Sequence, residues 1–311
     1  VTGPGEHEGG DHLGADPDGE VVPWRALLAE TIGRLEAGGV ATSSPGAEAR
    51  WIVEEASGME GAELELGLDE PATVRGVARL DALVARRLAG EPIQYVLGHW
   101  SFRTLDLLCD QRVLIPRPET EQVVERALGE LDRLRRHRPA GHRAVVVDLG
   151  TGSGAMGLSV AAERPGTEVW LVDRSPQALA VARANLAGLG MAGGRVRVAE
   201  GSWFDALPTD LRGRVDLVVT NPPYVAEDEP LDPSVADWEP GGALVSGPSG
   251  LEAYEAILSE APAWLAGAGA VVAEIGATQS GAVAELAAAA GFVEVVVHPD
   301  HAGHPRTLIA R

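Results

Sequence analysis

The chain contains no lysine. All 25 of its fixed cations are arginine. That absence excludes a Walker-type phosphate loop, a Schiff-base lysine for pyridoxal phosphate and a lysine general base. Cysteine is almost absent as well. Cys109 stands alone, so no intramolecular disulfide can form. Its place beside Leu105, Leu107 and Leu108 marks it as a buried, unreactive thiol. No apolar run is long enough to span a membrane. The sequence does not open on a basic stretch followed by an apolar one, so it does not read as starting with a signal peptide, and the cytoplasm is the expected compartment. No cluster of histidine, cysteine and carboxylate has the spacing of metal ligands, and no metal is expected. Positive charge is scarce overall: 46 acidic residues leave a formal net charge of −21. A protein working on duplex DNA or ribosomal RNA would need a basic surface to neutralise phosphates. The balance argues against nucleic acid as the main partner and leaves room only for a local arginine patch.

What is present divides along the 311 residues. Residues 1–20 hold almost nothing apolar and are expected to form a disordered acidic tail, with His7 and His12 solvated. Residues 21–90 carry helical signals. Pro23 suits a first helical position, Leu27, Leu28, Ile32 and Leu35 recur at helical spacing, and Gly38-Gly39 stop the run. Ser44-Pro45 opens a second helix through Trp51, Ile52 and Val53. Pro71 opens a longer one with Val77, Leu80, Leu83, Val84 and Leu88 on one face. A small all-helical domain follows from this. Residues 91–117 change character: Trp100 to Phe102, Leu105 to Leu108 and Val113 to Ile115 suggest a short β-hairpin linker. Residues 118–311 start with a helix from Pro118, whose end carries Arg135, Arg136 and Arg138 as a solvated cationic cap. From Val145 onward strands and helices alternate, which implies an α/β domain with a parallel, doubly wound, Rossmann-like sheet.

Two motifs on that sheet carry chemistry. The first is Asp148-Leu-Gly150-Thr151-Gly152-Ser153-Gly154-Ala-Met-Gly157, set between a strand and a helix. Glycines here permit a tight turn and a close approach of ligand to backbone. Asp173 ends the next strand, where an acidic residue can hold ribose hydroxyls. Both features suit a nicotinamide dehydrogenase as well as a methyltransferase. The second motif separates them. The strand Val215 to Val219 runs into Asn221-Pro222-Pro223-Tyr224 at the sheet edge where ligands bind. Two prolines fix the backbone and withhold their N–H groups, so carbonyl acceptors are presented rigidly. The Asn221 carboxamide adds an acceptor and Tyr224 a flat face. Together they make a clamp for a planar NH2 group, for which hydride transfer has no use.

Asp148 to Gly154 resembles the first S-adenosylmethionine motif of class I methyltransferases, and Asn221 to Tyr224 resembles the amino-methyltransferase signature. Further runs are similar to the peptide chain release factor glutamine methyltransferase family: Glu91 to Gly98, Leu114-Ile-Pro-Arg117-Pro-Glu-Thr120-Glu121, Ser202-Trp203-Phe204, Trp238-Glu239-Pro240 and Glu274-Ile-Gly276. The resemblance runs from about Pro23 to the C-terminus. It implies a class I methyltransferase sheet after a helical substrate-recognition domain, S-adenosyl-L-methionine as cofactor, and a class 1 release factor as partner, methylated on the glutamine of its Gly-Gly-Gln loop. It implies that Gly150, Thr151, Gly152, Ser153 and Gly154 line the cofactor site, that Asp173 binds the ribose hydroxyls, that Trp203 flanks the adenine and that Asn221 borders the cofactor as well as the substrate. Asn221 and the Pro222 carbonyl would accept from the substrate amide, with Pro223 rigidifying the turn and Tyr224 packed on the amide plane. Arg117 to Thr120 would close the methionine end. The alternatives are an amino-methyltransferase acting on a ribosomal protein glutamine or on adenine in nucleic acid, and a non-catalytic module that keeps the cofactor site.

Overall fold

The computed structural model describes residues 21–39, 44–136, 138–139 and 141–311. The segment expected to be a disordered tail, with His7 and His12, lies outside the described residues. Packing divides the chain into two compact units, one ending at Leu97 and the other running Gly98–Arg311.

The first unit is helical: α1 (Trp24–Ala37), α2 (Pro45–Ser57), α3 (Ala62–Gly67), α4 (Val74–Leu88) and α5 (Ile93–Leu97). Local chemistry sets the ends. Pro45 occupies the first turn of α2, and Gly58 closes that helix in the left-handed region at φ 76°. The Thr73 hydroxyl caps α4 by accepting from the Gly76 N–H at 3.0 Å. Leu27, Leu35, Ile52, Val53, Leu80 and Val84 are each buried, as the periodicity predicts. One member of the α4 stripe is not apolar. Arg87 is 6% exposed and meets the buried Glu48 of α2 through Nε–Oε2 at 2.7 Å and Nη2–Oε1 at 3.3 Å. Nη1 donates to the Glu91 carbonyl at 3.1 Å.

The second unit opens with an antiparallel hairpin, β1 (His99–Phe102) and β2 (Leu105–Leu108). The expected linker over 91–117 thus divides: α5 is helical, the hairpin forms, and Val113 to Ile115 joins no strand. Those three residues instead line a cavity described below. Then follow α6 (Pro118–Arg135), β3 (Ala144–Leu149), α7 (Ala155–Glu163), β4 (Thr167–Asp173), α8 (Pro176–Gly188), β5 (Val196–Glu200), β6 (Val215–Thr220), the short β7 (Val225–Ala226), α9 (Pro233–Ala236) and β8 (Val245–Gly247), and finally α10 (Glu252–Trp264), β9 (Leu265–Glu274), α11 (Ser280–Ala289), β10 (Val295–Pro299) and β11 (Pro305–Ala310).

Seven strands make one sheet in the order β10-β11-β9-β6-β3-β4-β5. The expected parallel, doubly wound sheet forms, with one strand reversed: β11 runs antiparallel to both its neighbours. The turn from β10 into β11 spans only 300–304. A connection that short can join antiparallel strands but not parallel ones. Alternation in β3 feeds two cores: Val146 packs with α6 and α7 on one face, and Val145, Val147 and Leu149 pack with α10 and α11 on the other. Arg138 does not form the solvated cap expected of it. Its Nη2 donates to Asp216 Oδ1 at 2.6 Å, and that carboxylate, 1% exposed, also meets His142 Nε2 at 2.9 Å and the Val145 N–H at 3.0 Å.

Removing one partner of a buried ion pair strands the other charge in the interior. Glu48→Ala is therefore expected to lower unfolding stability by about 3 kcal/mol or more. Urea denaturation of the full chain reads this directly, and a loss below about 1 kcal/mol would show that water reaches the pair.

Candidate active site

The strand order sets β6, β3, β4 and β5 side by side and parallel, so the turns leaving their carboxyl ends converge on one edge. A cavity of about 330 Å³ opens there, a size within the range of small-ligand pockets. Gly150, Thr151, Gly152, Ser153, Asp173, Trp203, Asn221 and Pro223 all line it. Gly154, Pro222 and Tyr224 do not. Gly154 starts α7 at φ 87°, where an added Cβ would fall 2.8 Å from Leu158 Cδ1. Pro222 is buried, and Tyr224 is half-buried against the second core.

The glycine turn is held from behind by Asp148, 1% exposed. Its Oδ2 accepts both from the Thr151 hydroxyl at 2.6 Å and from the Gly157 N–H at 2.9 Å. Gly157 has no room for a side chain, since a Cβ would sit 2.3 Å from Leu171 Cδ2. Burial pushes the Asp148 carboxyl up to about 6, against the two hydrogen bonds, which favour the ionised form. Asp173 holds the turn from the front. One oxygen accepts from the Gly152 N–H at 2.9 Å and the other from the Ser175 N–H at 2.9 Å. Each oxygen keeps a second lone pair for a ligand hydroxyl. Gly152 sits at φ 55°, and an added Cβ would meet no protein atom within 4 Å. Trp203 adopts φ 46°, a strained conformation for an aromatic residue. That conformation brings its ring within 3.5 Å of where a Gly150 Cβ would lie.

Residues beyond the glycine turn, Asp173, Trp203 and the Asn221 turn complete the site, among them Arg117 and Thr120, which were expected to close the methionine end. Arg117 pairs with the buried Glu239, whose other oxygen takes the Ile115 N–H at 3.0 Å. This joins two segments of the cavity wall that are distant in sequence. Asn185 of α8 donates to the Ser153 carbonyl at 2.8 Å and accepts from the Leu108 N–H at 2.7 Å, tying the glycine turn to β2. Behind Asn221, the Thr120 hydroxyl donates to Glu274 Oε2 at 2.5 Å, and Asn221 Nδ2 lies 3.5 Å from Thr120 Oγ1. Burial pushes Glu274 up to about 7. Burial first, then the Glu274 charge, pushes the Tyr224 phenol up as well. Only the family motifs around Thr120 and Glu274 marked these residues in the sequence, and Asn185 carried no signal at all. Cys109 is fully buried, and burial pushes its thiol up to about 12, as an unreactive cysteine requires. Among the described residues, no group of histidine, cysteine and carboxylate could hold a metal ion.

Asp148 yields a pH prediction with a definite sign. Between about pH 4 and 6 the folded chain keeps the Asp148 proton while the unfolded chain has lost it, so this group's contribution to stability falls as pH rises through that window. The penalty above pH 6 is on the order of 3 kcal/mol at most. In Asp148→Asn a carboxamide oxygen can take both hydrogen bonds without charge. The variant is expected to gain stability relative to wild type between pH 5 and pH 7.5. Denaturant unfolding at the two values measures this, and a gap that does not change with pH would rule out a buried, titrating carboxylate.

Comparison with known proteins bears on this geometry. Residues 131–236 match the family model "Methyltransferase small domain", and residues 26–98 match "PrmC N-terminal domain". The release factor glutamine methyltransferase of Cereibacter sphaeroides is 40% identical over 91% of this chain and 96% of its own length. The protein of the same name from Geobacter sulfurreducens is 36% identical over 94% of this chain and 98% of its own length. Among solved structures, the hMettl16 catalytic domain in complex with the MAT2A 3'UTR hairpin 6 superposes with a TM-score of 0.51 at 15% identity, over 73% of this chain and 80% of that one. That last likeness concerns the fold alone. At this identity over nearly the full length of its relatives, the chain belongs to the release factor glutamine methyltransferase family.

Proposed function

We propose that this chain transfers a methyl group from S-adenosyl-L-methionine to the side-chain amide nitrogen of the glutamine in the Gly-Gly-Gln loop of class 1 peptide chain release factors. The observation that carries the reading is that Asn221 and Pro223 line the same cavity as Gly150 to Ser153, Asp173 and Trp203. Two members of the amide clamp thus share a chamber with a nucleoside-type site. The names of the relatives supply the substrate, and the cytoplasm follows as the compartment of translation. No helix among the described residues is long and apolar enough to cross a membrane.

The donor set fits an adenosyl ligand. Asp173 has free lone pairs for two ribose hydroxyls, Trp203 offers an aromatic face for adenine, and the bare backbone at Gly152 lets the ligand approach the main chain. When bound, S-adenosyl-L-methionine supplies an electrophilic methyl group on a sulfonium. The remaining work belongs to the chain. An amide nitrogen is a poor nucleophile because its lone pair is delocalised into the carbonyl. Asn221 Oδ1 and the Pro222 carbonyl accept from its two N–H groups, fix its direction and return electron density to nitrogen. Tyr224, half-buried against the second core and outside the cavity lining, backs the turn that carries these acceptors. Positioning supplies most of the acceleration, and the fixed acceptors stabilise the positive charge that develops on nitrogen.

Incubation with radiolabelled S-adenosylmethionine and, separately, a release factor, ribosomal protein, DNA or RNA tests the reading. Label is expected on the release factor and should vanish when the loop glutamine is changed to alanine. Label on nucleic acid with none on release factor would overturn the assignment. Asn221→Ala is expected to cut kcat by about 100-fold, the scale for losing one fixed polar contact to a transition state, with little change in cofactor affinity. Equal losses in both would make Asn221 a wall of the cofactor pocket instead.

A further inference from the structure

We propose that Thr120 and Glu274 are positioning residues that set the rotation of the Asn221 carboxamide, so that its oxygen and not its nitrogen faces the substrate amide. The inference deepens the amide clamp and rests on that reading. Three polar side chains form a file at the cavity wall. Glu274, at the end of β9, is 1% exposed, and Thr120, in the first turn of α6, is 4% exposed. The Thr120 hydroxyl donates to Glu274 Oε2 at 2.5 Å, and Asn221 Nδ2 stands 3.5 Å from the same hydroxyl oxygen. Thr120 and Asn221 both line the cavity.

A hydroxyl has one proton. With that proton committed to a carboxylate, which can only accept, Thr120 presents lone pairs to Asn221. Lone pairs select the NH2 side of the carboxamide, and Oδ1 turns the other way. The rotation matters because the two ends of a carboxamide are nearly isosteric, and packing alone chooses poorly between them. A rotated Asn221 would set its own N–H groups against those of the substrate. A polar network fixed at its buried end removes that ambiguity.

The polarity of the file depends on the charge of Glu274. A protonated Glu274 can donate to Thr120, which frees the hydroxyl proton to turn toward Asn221 and favours the rotated amide. The groups around Glu274 set where this happens. Burial raises its pKa most, and Glu119 of α6 raises it further. Thr120, Arg306 of β11 and Arg117 lower it. The Tyr254 hydroxyl of α10 donates to the Glu274 backbone carbonyl at 2.9 Å, not to its carboxylate. Tyr224 feels the Glu274 charge from the turn after β6. The balance leaves the group titrating at about 7, so the working polarity holds above that pH and is lost below it.

Asparagine occurs only at positions 185 and 221, which makes the test direct. In full-length protein labelled with ¹⁵N-asparagine, the Asn221 side-chain resonances are expected to shift with a midpoint near pH 7. That titration should be absent in Glu274→Gln. In methyl transfer to the release factor, wild-type kcat/KM should fall as pH drops through the same midpoint, and Glu274→Gln should be flat over that range. Thr120→Val should lose about tenfold or more in kcat with S-adenosylmethionine affinity unchanged, and Thr120→Ser should recover it. An Asn221 amide that does not titrate, a Glu274→Gln variant with the wild-type pH profile, or a Thr120→Val variant with wild-type kcat would each overturn the inference. An Asn221 titration without any transfer to release factor would support the file and sink the proposed substrate instead.

Discussion

One oxygen atom, Asp148 Oδ2, holds the site together. It takes the Thr151 hydroxyl from inside the glycine turn and the Gly157 N–H from the first turn of α7. The turn and the helix are thereby fixed to the end of β3 by a group that is only 1% exposed. The close approach this demands leaves no volume at Gly157, and the left-handed backbone at Gly150, Gly152 and Gly154 follows from the same tight path. Asp173 then clamps the outer side of the turn and Asn185 ties it to the hairpin. The cavity wall is thus a set of backbone atoms whose positions are fixed before any ligand arrives, and that preorganisation lowers the entropic cost of binding.

A good part of this was readable from residue order. The helical unit followed from apolar spacing and from Pro23, Gly38 and Pro45 at helix ends, although the helix expected to open at Pro71 starts at Val74. The α/β unit followed from buried strands alternating with helices. Asp148, Gly150, Gly152, Asp173 and Asn221 could be located because each sits at a strand end, where the periodicity breaks and a turn must leave the sheet. Signals of this kind are local, and they succeed where a residue's role depends on its near neighbours in sequence.

What escaped was made by contacts that sequence spacing does not encode. Arg87 occupies a core position of α4 because Glu48, on another helix, neutralises it. Arg138 looked like a helix-end cation and is drawn instead to the buried Asp216. Val113 to Ile115 has the composition of a strand, yet the pairing of Glu239 with Arg117 and the Ile115 N–H holds the segment as cavity wall. The reversal of β11 was hidden in the short 300–304 connection, since an apolar strand reads the same in either direction. Thr120 was expected only as part of the segment closing the methionine end, and Glu274 was visible only as a letter within a motif. Their meeting requires α6 to lie across the end of β9.

The direction of the sheet also divides the molecule by consequence. The turns after β3, β4, β5 and β6 that help build the cavity each leave a carboxyl end of a strand. The turns at the opposite edge, such as Pro165-Gly166 before β4 and Arg212 to Arg214 before β6, are exposed and contribute nothing to it. Beneath that far edge the Arg212 guanidinium lies 4.7 Å over the Trp264 ring, and Asp216 gathers its partners. Changes made there reach durability before they reach chemistry. The two properties of this protein can therefore be engineered separately, with one edge kept for tuning lifetime and for attaching tags or surfaces, and the other left alone.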